Sequence, residues 1–440
     1  MIRAHSFGVI RRAATDDSSY RVLMNHTPRI RAVSCIALVV SLGVVATACG
    51  GPDGHPLSAA PYDAARQVSF NAGSDSKVDP DKPLEVTSKG DGGRITDVTV
   101  MDEAGHYVAG ELAADGVRWR STAPLAAGAK YTVRVSTEDD EGAPGLRTML
   151  FETAPAKSSL TAEFGPKAGT YGVGQPITAK LSLAVGDGRG RAVVERALKV
   201  TSKPAVEGSW HWVDDKTLHY RPKDYWPAGA VVNATSNLQG VKVAGKLYGG
   251  RSKPLKITIG DRLEAVTDAG SHTMTVMRNG EVIKTMPVTT GKPGFDTRNG
   301  IKVVLGKEYF VRMRSTSIGI AEGSSESYDL PVYYATRVTW SGEYVHAAPW
   351  SVGSQGSANV SHGCTGMSME NAEWFYKTVR EGDIVKVVNS YGDMMDTFGN
   401  GFGDWNLSWD KWRQGSALVA GSDAAAGNVT EVSARLRPRV

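Results

Sequence analysis

The segment "SGEYVHAAPWSVGSQGSANVSHGCTGMS", residues 341–368, carries Cys364 in a glycine- and serine-rich loop, although the 440-residue chain has only three cysteines. A thiol attacks as the thiolate, and a neighbouring imidazole commonly generates it near neutral pH. His362 stands two residues before this cysteine, and a hairpin-like excursion through "SVGSQGSANVS" would bring His346 beside it. Gly363 would let a substrate approach the backbone closely, and N–H groups around Cys364 would form an oxyanion hole. The segment predicts a Cys-His nucleophile.

Two other interpretations of these residues are weaker. A buried free cysteine acts as a small apolar side chain, but the polar, glycine-rich neighbours argue against burial. A metal site would use His346, His362 and Cys364, yet the sequence offers no fourth ligand nearby and no CxxC motif. We therefore expect no metal and no other cofactor.

The residues on either side of the segment predict a β-rich domain with one short helix, which we place at residues 261–390. In "SMENAEWFYKTVREG", Ser368 is the N-cap of a helix. Its apolar face consists of Ala372, Phe375, Tyr376 and Val379. Upstream, Asn279-Gly280 predicts a hairpin with a type I′ turn, and "DIVKVVNS" predicts a closing strand. Residues 391–415 carry three tryptophans and predict an extension that packs back on this domain, followed by a disordered tail at 416–440.

Short alternating strands separated by turns fill residues 67–155 and again 156–260. Strands at this spacing, without helical periodicity, are typical of β-sandwiches. We therefore predict a mainly β chain with two immunoglobulin-like β-sandwiches, then the β-rich domain with its short helix and Trp-rich C-terminal extension. The sandwiches are interpreted as spacers without chemistry of their own.

The N-terminus predicts an export signal over residues 1–48, with Met24 as a candidate start. Two arginines precede the run "AVSCIALVVSLGVVATA", which is too short and too rich in small residues for a settled membrane span. "VATAC" resembles a bacterial lipobox, in which Cys49 would be lipidated and residues 49–66 would be a linker. Ordinary cleavage that leaves Cys49 unmodified is the alternative. We expect an exported protein, lipid-anchored at the outer face of the cytoplasmic membrane and acting in the cell wall.

The charge balance argues against a nucleic-acid partner. The chain has 50 basic and 46 acidic residues, a formal net charge of +4. No Lys/Arg run with interleaved aromatic residues occurs in the sequence.

The stretch "HAAPWSVGSQGSANVSHGC" resembles the His…[Ser/Thr]-His-Gly-Cys signature of L,D-transpeptidases, whose catalytic domain is called YkuD. The likeness extends to "TTGKPGFDTRNGIKVV", "RSTSIG", "VTWSGEYVHAAPW", "NAEWFYKTVREGDIVKVVNS" and "GDWNLSWDKW", which look like the mycobacterial branch with tandem immunoglobulin-like domains. The resemblance covers roughly residues 65–415. It implies an exported acyltransferase that forms 3→3 diaminopimelate cross-links in peptidoglycan through a cysteine thioester.

Position by position, the resemblance implies Cys364 as nucleophile and His346 as general base and acid, with the imidazole oriented by a backbone carbonyl. Gly363 and Cys364 would supply the oxyanion N–H groups, and His362 would support the site. For substrate binding it implies Tyr328 on a lid over the pocket, with Ser341 and Gly342 making backbone contacts. The implied partners are a donor tetrapeptide stem, an acceptor stem, and carbapenems as covalent inhibitors.

The sequence departs from the family's pattern at two places. Gly366 stands where the family usually has Asn, which affects substrate positioning. Some relatives carry an acidic metal-binding loop in the second sandwich, but "NLQGVKVAGKLYGG" offers Lys242, Gly245 and Lys246 there, so we expect no calcium. Two alternatives in function stay open: an L,D-carboxypeptidase that uses water as acceptor at the same site, and a non-catalytic wall-binding scaffold. Papain-like wall hydrolases, with Cys before His, and sortases, with a TLxTC motif, fit less well.

Overall fold

The computed structural model of the chain describes residues 60–72, 77–89, 93–186 and 188–420. They form the mainly β structure with few short helices that the strand patterns predict. The export signal and the lipidation site Cys49 lie outside the described residues, as does the tail beyond residue 420. Within the described ranges, none of the helices has the length and apolar character needed to cross a bilayer.

The first sandwich consists of two four-stranded sheets, in the orders β1-β8-β7-β4 and β2-β3-β6-β5. Its strands are β1 Tyr62–Asp63, β2 Val68–Phe70, β3 Glu85–Ser88, β4 Gly93–Asp102, β5 Gly110–Leu112, β6 Arg118–Ser121, β7 Lys130–Asp139 and β8 Pro144–Glu152. In β7 alternate side chains, Tyr131, Val133 and Val135, are buried while their polar neighbours face outward. This period of two matches the pleat of a strand that has one buried face.

The linker ends earlier than the sequence suggests. β1 pairs in parallel with β8, Tyr62 opposite Gly145, and a 3₁₀ turn at Ala64–Arg66 follows it. Ala64 is fully buried. The predicted boundary at residue 66 is therefore wrong, because the Ala-rich composition that favoured a linker also fits a close-packed sheet edge.

The second sandwich has two four-stranded sheets, β10-β12-β15-β14 and β11-β19-β16-β13, and a small sheet β17-β18-β9. Its strands are β9 Ser158–Leu160, β10 Ala162–Gly165, β11 Thr170–Tyr171, β12 Ile177–Leu181, β13 Leu198–Lys203, β14 Gly208–Trp212, β15 Thr217–Pro222, β16 Val231–Ser236, β17 Lys242–Ala244, β18 Leu247–Gly249 and β19 Leu255–Ile259. It also contains a helix that the sequence did not predict, α1 Gly188–Ala197. The glycines at its start are poor helix formers, but Val194 and Ala197 pack into the core and stabilise it.

The third domain carries the Cys-His segment. Its strands are β20 Leu263–Asp268, β21 Thr273–Arg278, β22 Glu281–Pro287, β23 Gly300–Val303, β24 Gly306–Arg314, β25 Asp329–Arg337, β26 Tyr344–Ala347, β27 Thr365–Met367 and β28 Ile384–Val388. They form the sheets β22-β21-β20-β28-β23 and β24-β25-β26-β27. The hairpin at Asn279-Gly280 is confirmed, with positive φ at both residues. The helix is confirmed as α2 Met369–Thr378, whose N-cap Ser368 accepts a hydrogen bond from the Asn371 N–H.

The Trp-rich extension packs on the second sandwich as well as on the domain that precedes it. The indole N–H of Trp405 donates to the Gly174 carbonyl at 2.8 Å, and that of Trp412 to the Ser209 carbonyl at 3.0 Å. The Arg221 guanidinium lies 4.7–5.5 Å from the ring centroids of three tryptophans, Trp405, Trp409 and Trp412. Packing on the preceding domain was expected, whereas the cation–π cluster around Arg221 was not, because no local signal in the sequence indicated it.

The described start of the predicted disordered tail is ordered. After α3, Trp409–Gln414, the chain forms α4, Ala417–Ala420. The buried Glu195 carboxylate of α1 accepts hydrogen bonds from the Ser416 hydroxyl and, at 2.8 Å, from the Ala417 N–H. This contact could not be predicted, because α1 itself was missed.

Candidate active site

Cys364 and His346 are brought together by two adjacent parallel strands. His346 lies on β26 in register with Gly366 of β27, and Cys364 immediately precedes β27. The expected hairpin-like return is therefore wrong. The link makes a parallel crossover that contains 3₁₀ turns at Pro349–Ser354, so both residues reach the same end of the pair.

The turn that presents the thiol is held by hydroxyl groups. The Ser361 hydroxyl donates to the Cys364 carbonyl at 2.6 Å, and the Thr297 hydroxyl donates to the Gly363 carbonyl at 2.8 Å. Gly363 has φ +117°, a conformation that favours glycine. Its N–H donates to the Ser361 Oγ at 3.1 Å. To act as the expected oxyanion donor, the Gly363 N–H would have to exchange this partner for the substrate.

The Cys364 side chain is a protonated thiol near neutral pH. The residue is only partly buried because its sulfur opens on a cavity, but the atoms around the sulfur exclude most water. This burial raises the pKa of the Cys364 thiol to about 11, against the Tyr344 backbone N–H and Lys302, which lower it. The thiol donates to the Gly342 carbonyl at 3.5 Å. A base is needed to form the thiolate at neutral pH.

His346 has the geometry of such a base. Its Nδ1 lies 2.8 Å from the Ala347 carbonyl, and because a carbonyl only accepts, Nδ1 carries the proton. Nε2 is thereby left as the acceptor nitrogen. Burial lowers the pKa of His346 below its ordinary value, opposed by the hydrogen bond to Ala347. The imidazole is therefore neutral near pH 7.

Two cavities meet at Cys364. One has a volume of about 240 Å³ and is lined by His346, Gly366 and Trp350 in addition to the cysteine. The other has a volume of about 910 Å³ and reaches Ser341 and Gly342. Cys364 thus lines both cavities.

A lid covers this junction. We define the lid as the hairpin β24–β25 with its tip, Ser315–Tyr328. Tyr328 lines both cavities, and its ring lies 5.0 Å from the His362 ring, centroid to centroid. His362 also lines both cavities and packs edge-on against Phe295 at 4.6 Å. The structure therefore places Tyr328 and His362 on the same two cavities as Cys364.

Ser341 and Gly342 lie in a turn at the wall of the larger cavity. The Ser341 N–H donates to the Asn400 Oδ1 at 2.8 Å, and the Gly342 N–H donates to the Thr339 carbonyl at 3.4 Å. Substrate contact by these two N–H groups would require them to exchange partners. The Gly342 carbonyl faces the thiol directly.

A buried ion-pair network beneath this turn was missed by the sequence reasoning. Glu343 accepts hydrogen bonds from the Lys302 ammonium and, at 3.0 Å, from the Arg298 guanidinium. Lys302 is 1% exposed, and its burial lowers its pKa, opposed by the attraction of Glu343. Lys302 and Glu343 shift the pKa of Cys364 in opposite directions. No sequence signal identified them, since 41 residues separate the pair.

No grouping of three or more His, Cys, Asp or Glu side chains suited to a metal ion occurs within the described ranges. In the loop where some relatives carry acidic ligands, Lys242 instead bonds Asp81 of the first sandwich at 2.6 Å. A lysine paired with Asp81 therefore stands in this loop, where an acidic ligand would be needed.

Gly366 is enclosed from both sides. It exchanges two backbone hydrogen bonds with Thr289, at 2.9 and 2.8 Å, and pairs with β26 on its other edge. A Cβ at this position would lie 2.9 Å from the Ala348 Cβ and 3.1 Å from the Thr289 Cγ2. The asparagine that the family usually has here would not fit without movement of these neighbours.

We expect Gly366→Ala to lower the free energy of unfolding by about 1–3 kcal/mol, because it overpacks the wall between β27 and Ala348. Chemical denaturation of the purified protein measures this. Gly353→Ala is the matched control, since no atom lies within 4 Å of its added Cβ. Adding Ala348→Gly to Gly366→Ala should restore most of the loss. If the Gly366→Ala protein is as stable as the parent, Ala348 and Thr289 can move aside at no cost in stability.

The fold and the site together describe a β-rich domain in which a cysteine and a histidine line one cavity. The model of the L,D-transpeptidase catalytic domain family matches residues 263–387, and the model of the bacterial Ig domain matches residues 75–242. L,D-transpeptidase 2 of Mycobacterium tuberculosis (strain CDC 1551 / Oshkosh) is 37% identical over 341 residues, covering 77% of this chain and 82% of that protein. L,D-transpeptidase 5 of M. tuberculosis (strain ATCC 25618 / H37Rv) is 32% identical over 382 residues, covering 85% and 82%.

A solved structure of the L,D-transpeptidase LdtMt1 in complex with imipenem is 38% identical, covers 52% of this chain and 99% of that chain, and has a TM-score of 0.46. The sequence relatives decide the assignment. The chain belongs to the L,D-transpeptidase family, whose acyltransferase-type activity cross-links peptidoglycan.

Proposed function

We propose that this protein forms 3→3 cross-links between diaminopimelate residues of peptidoglycan stems through a thioester on Cys364. The observation that carries the proposal is the pairing of a protonated thiol with a neutral imidazole on one cavity. His346 has its Nδ1 proton held by Ala347, so its Nε2 is the nitrogen that accepts a proton. The family membership supports cross-linking as the outcome.

In the first half-reaction, the Cys364 proton passes to the His346 Nε2 while the sulfur attacks the carbonyl of the third residue of a donor tetrapeptide. The C–N bond to the terminal D-alanine breaks, and His346 returns the proton to the departing amine. A thioester remains on the sulfur. The Tyr344 backbone N–H stabilises negative charge on this sulfur, and the Cys364 N–H would stabilise the oxyanion.

In the second half-reaction, the side-chain amine of an acceptor diaminopimelate attacks the thioester carbonyl. His346 takes a proton from that amine, the C–S bond breaks, and the thiolate leaves and is reprotonated. The two cavities that meet at the sulfur support this sequence, because donor and acceptor can approach the same carbonyl from different sides.

The decisive experiment is intact-protein mass spectrometry after mixing the enzyme with a tetrapeptide stem. We expect a covalent adduct at the mass of the stem minus D-alanine, followed by a dimer when acceptor is added. A tripeptide without dimer would instead show an L,D-carboxypeptidase. If no adduct forms under conditions where a relative reacts, the non-catalytic scaffold is the better description.

We further propose that carbapenems acylate Cys364. A β-lactam is a strained amide, which the same thiolate opens without needing to expel a separate leaving amine. The smaller cavity is lined by apolar side chains such as Met313, Leu330 and Val332, which suits a compact bicyclic ligand. A stable mass increase equal to the whole inhibitor would support this, and peptide mapping should place it on Cys364.

We also propose that lipidation of Cys49 anchors the chain to the outer face of the cytoplasmic membrane and that the sandwiches space the enzyme from it. The first sandwich meets the second through Asp81, which accepts hydrogen bonds from Lys242 at 2.6 Å and Tyr248 at 2.8 Å. The Ala127 N–H donates to the Gly240 carbonyl at 2.9 Å. None of these contacts involves a residue of the third domain, which supports a spacer role.

Deleting residues 60–155 should leave the rate of stem acylation by the purified enzyme within about twofold, because the reacting groups all lie on the third domain. In cells, the same deletion should lower the number of 3→3 cross-links, as measured by analysis of digested wall. An equal loss of activity on soluble stems would contradict the spacer role and assign the first sandwich to folding or binding.

A further inference from the structure

In the described structure, the hydrogen bonds that join the lid tip to the rest of the third domain are made by one residue, Glu326. Among the described residues, the hydrogen bonds of Thr316–Ser327 run within the lid, apart from those of Glu326. Most side chains of the tip are exposed. The position of the tip over the cysteine therefore depends on what Glu326 binds.

Glu326 is held between Lys292 and His362, which lie on two different segments of the third domain. Its carboxylate lies 2.7 Å from the His362 Nε2 and forms an ion pair with Lys292. These contacts, with that of Lys292 the larger, lower the pKa of Glu326 below its ordinary value. The carboxylate is therefore charged at neutral pH and attracts both partners.

His362 connects this contact to the nucleophile. It shares its stretch of backbone with Gly363 and Cys364, and its ring packs against Phe295 on one side and the lid residue Tyr328 on another. Two contacts of the tip, those of Glu326 and Tyr328, thus converge on the His362 imidazole. A movement of the lid would therefore shift His362, and with it the backbone that carries Cys364.

We propose, on the basis of the proposed function, that His362 and Lys292 are positioning residues that bind Glu326, hold Tyr328 over Cys364, and release the tip when a stem peptide enters. This contact, Glu326 with His362 and Lys292, is called the catch. The Glu326 carboxylate is about one-third exposed, so water weakens its ion pair with Lys292. Such a contact can open and close on the timescale of lid motions.

The catch is tested by the access of thiol reagents of two sizes to Cys364. In Glu326→Ala the rate of alkylation by a fluorophore-linked maleimide should rise about fivefold, the effect of losing one exposed ion pair. The rate with iodoacetamide should change far less, because the small reagent needs less opening. The ratio of the two rates is the readout. A merely structural loss would alter both rates together.

The controls lie on the same tip and in the same catch. Glu322→Ala removes an exposed carboxylate of the tip and should leave the ratio unchanged, whereas Glu326→Gln, which keeps an acceptor oxygen, should give an intermediate ratio. Lys292→Ala should raise the ratio, and adding it to Glu326→Ala should add little, because both break one contact. Circular dichroism melting confirms that each variant is folded.

An unchanged ratio in Glu326→Ala, or fully additive effects of Glu326→Ala and Lys292→Ala, would overturn the catch. Neither result depends on stem chemistry, because only thiol reagents are used. Conversely, failure of the parent enzyme to form an adduct with a stem would remove the proposed function while leaving the lid contact measurable.

Discussion

Replacing Cys364 with alanine should abolish covalent capture of both tetrapeptide stems and carbapenems, with a loss of turnover of at least about 10³-fold. The described part of the chain contains no other thiol, and the alanine leaves the His346 imidazole without a nucleophile to deprotonate. Intact-protein mass spectrometry and product analysis measure the two effects.

Cys49→Ala is the matched cysteine control and should leave acylation by the purified enzyme unchanged, since Cys49 precedes the predicted mature domains. An adduct that persists in Cys364→Ala would place the nucleophile elsewhere. An adduct lost in both variants would point to a common loss of folding rather than to chemistry.

Replacing His346 with glutamine should slow acylation by about 10²–10⁴-fold at pH 7, the usual contribution of a general base. The reason lies in the two pKa shifts. With its pKa raised to about 11, the thiol ionises too rarely to react unaided, whereas the lowered pKa of His346 keeps its Nε2 free to accept the proton.

The pH profile separates these two contributions. In the parent enzyme the alkylation rate should stay level above about pH 6.5, the ordinary pKa of an imidazole. It should fall only on the acid side of that value, because the pKa of His346 is lowered. In His346→Gln the rate should instead climb roughly tenfold per pH unit from pH 7 toward 10, as for an unassisted thiol of high pKa.

His106→Gln is the control, because it removes an exposed histidine of the first sandwich. It should leave the profile unchanged. If His346→Gln keeps the level profile of the parent enzyme, another group must take the proton from Cys364, and the role assigned to His346 is wrong.

Elements specified by neighbouring residues could be predicted from the sequence. The turn at Asn279-Gly280 needs two residues that accept positive φ, and the start of α2 needs one hydroxyl at Ser368, so both signals lie within a few residues. The alternation in strands such as β7 likewise requires only a local pattern. These elements were confirmed.

Contacts between distant segments could not be predicted from one sequence. The parallel pairing of β26 with β27 depends on a crossover rather than on a turn. The bond between Glu326 and His362 joins residues 36 positions apart, and that between Arg221 and Leu407 joins residues 186 apart. For the same reason the motif indicated Cys364 and His346 but gave no sign of Glu343 or Lys302.

The return of the chain to the second sandwich has a mechanical consequence. The third domain follows the second sandwich directly at β20 and is tied to it again by the extension, through Trp412 and through the Asp404 carboxylate, 2.7 Å from the His219 Nδ1. A body fastened at both ends of its chain cannot pivot about a single linker. The second sandwich and the third domain should therefore move as one body when tension or torque is applied at the N-terminal side. Bending should then concentrate at the joint between the two sandwiches.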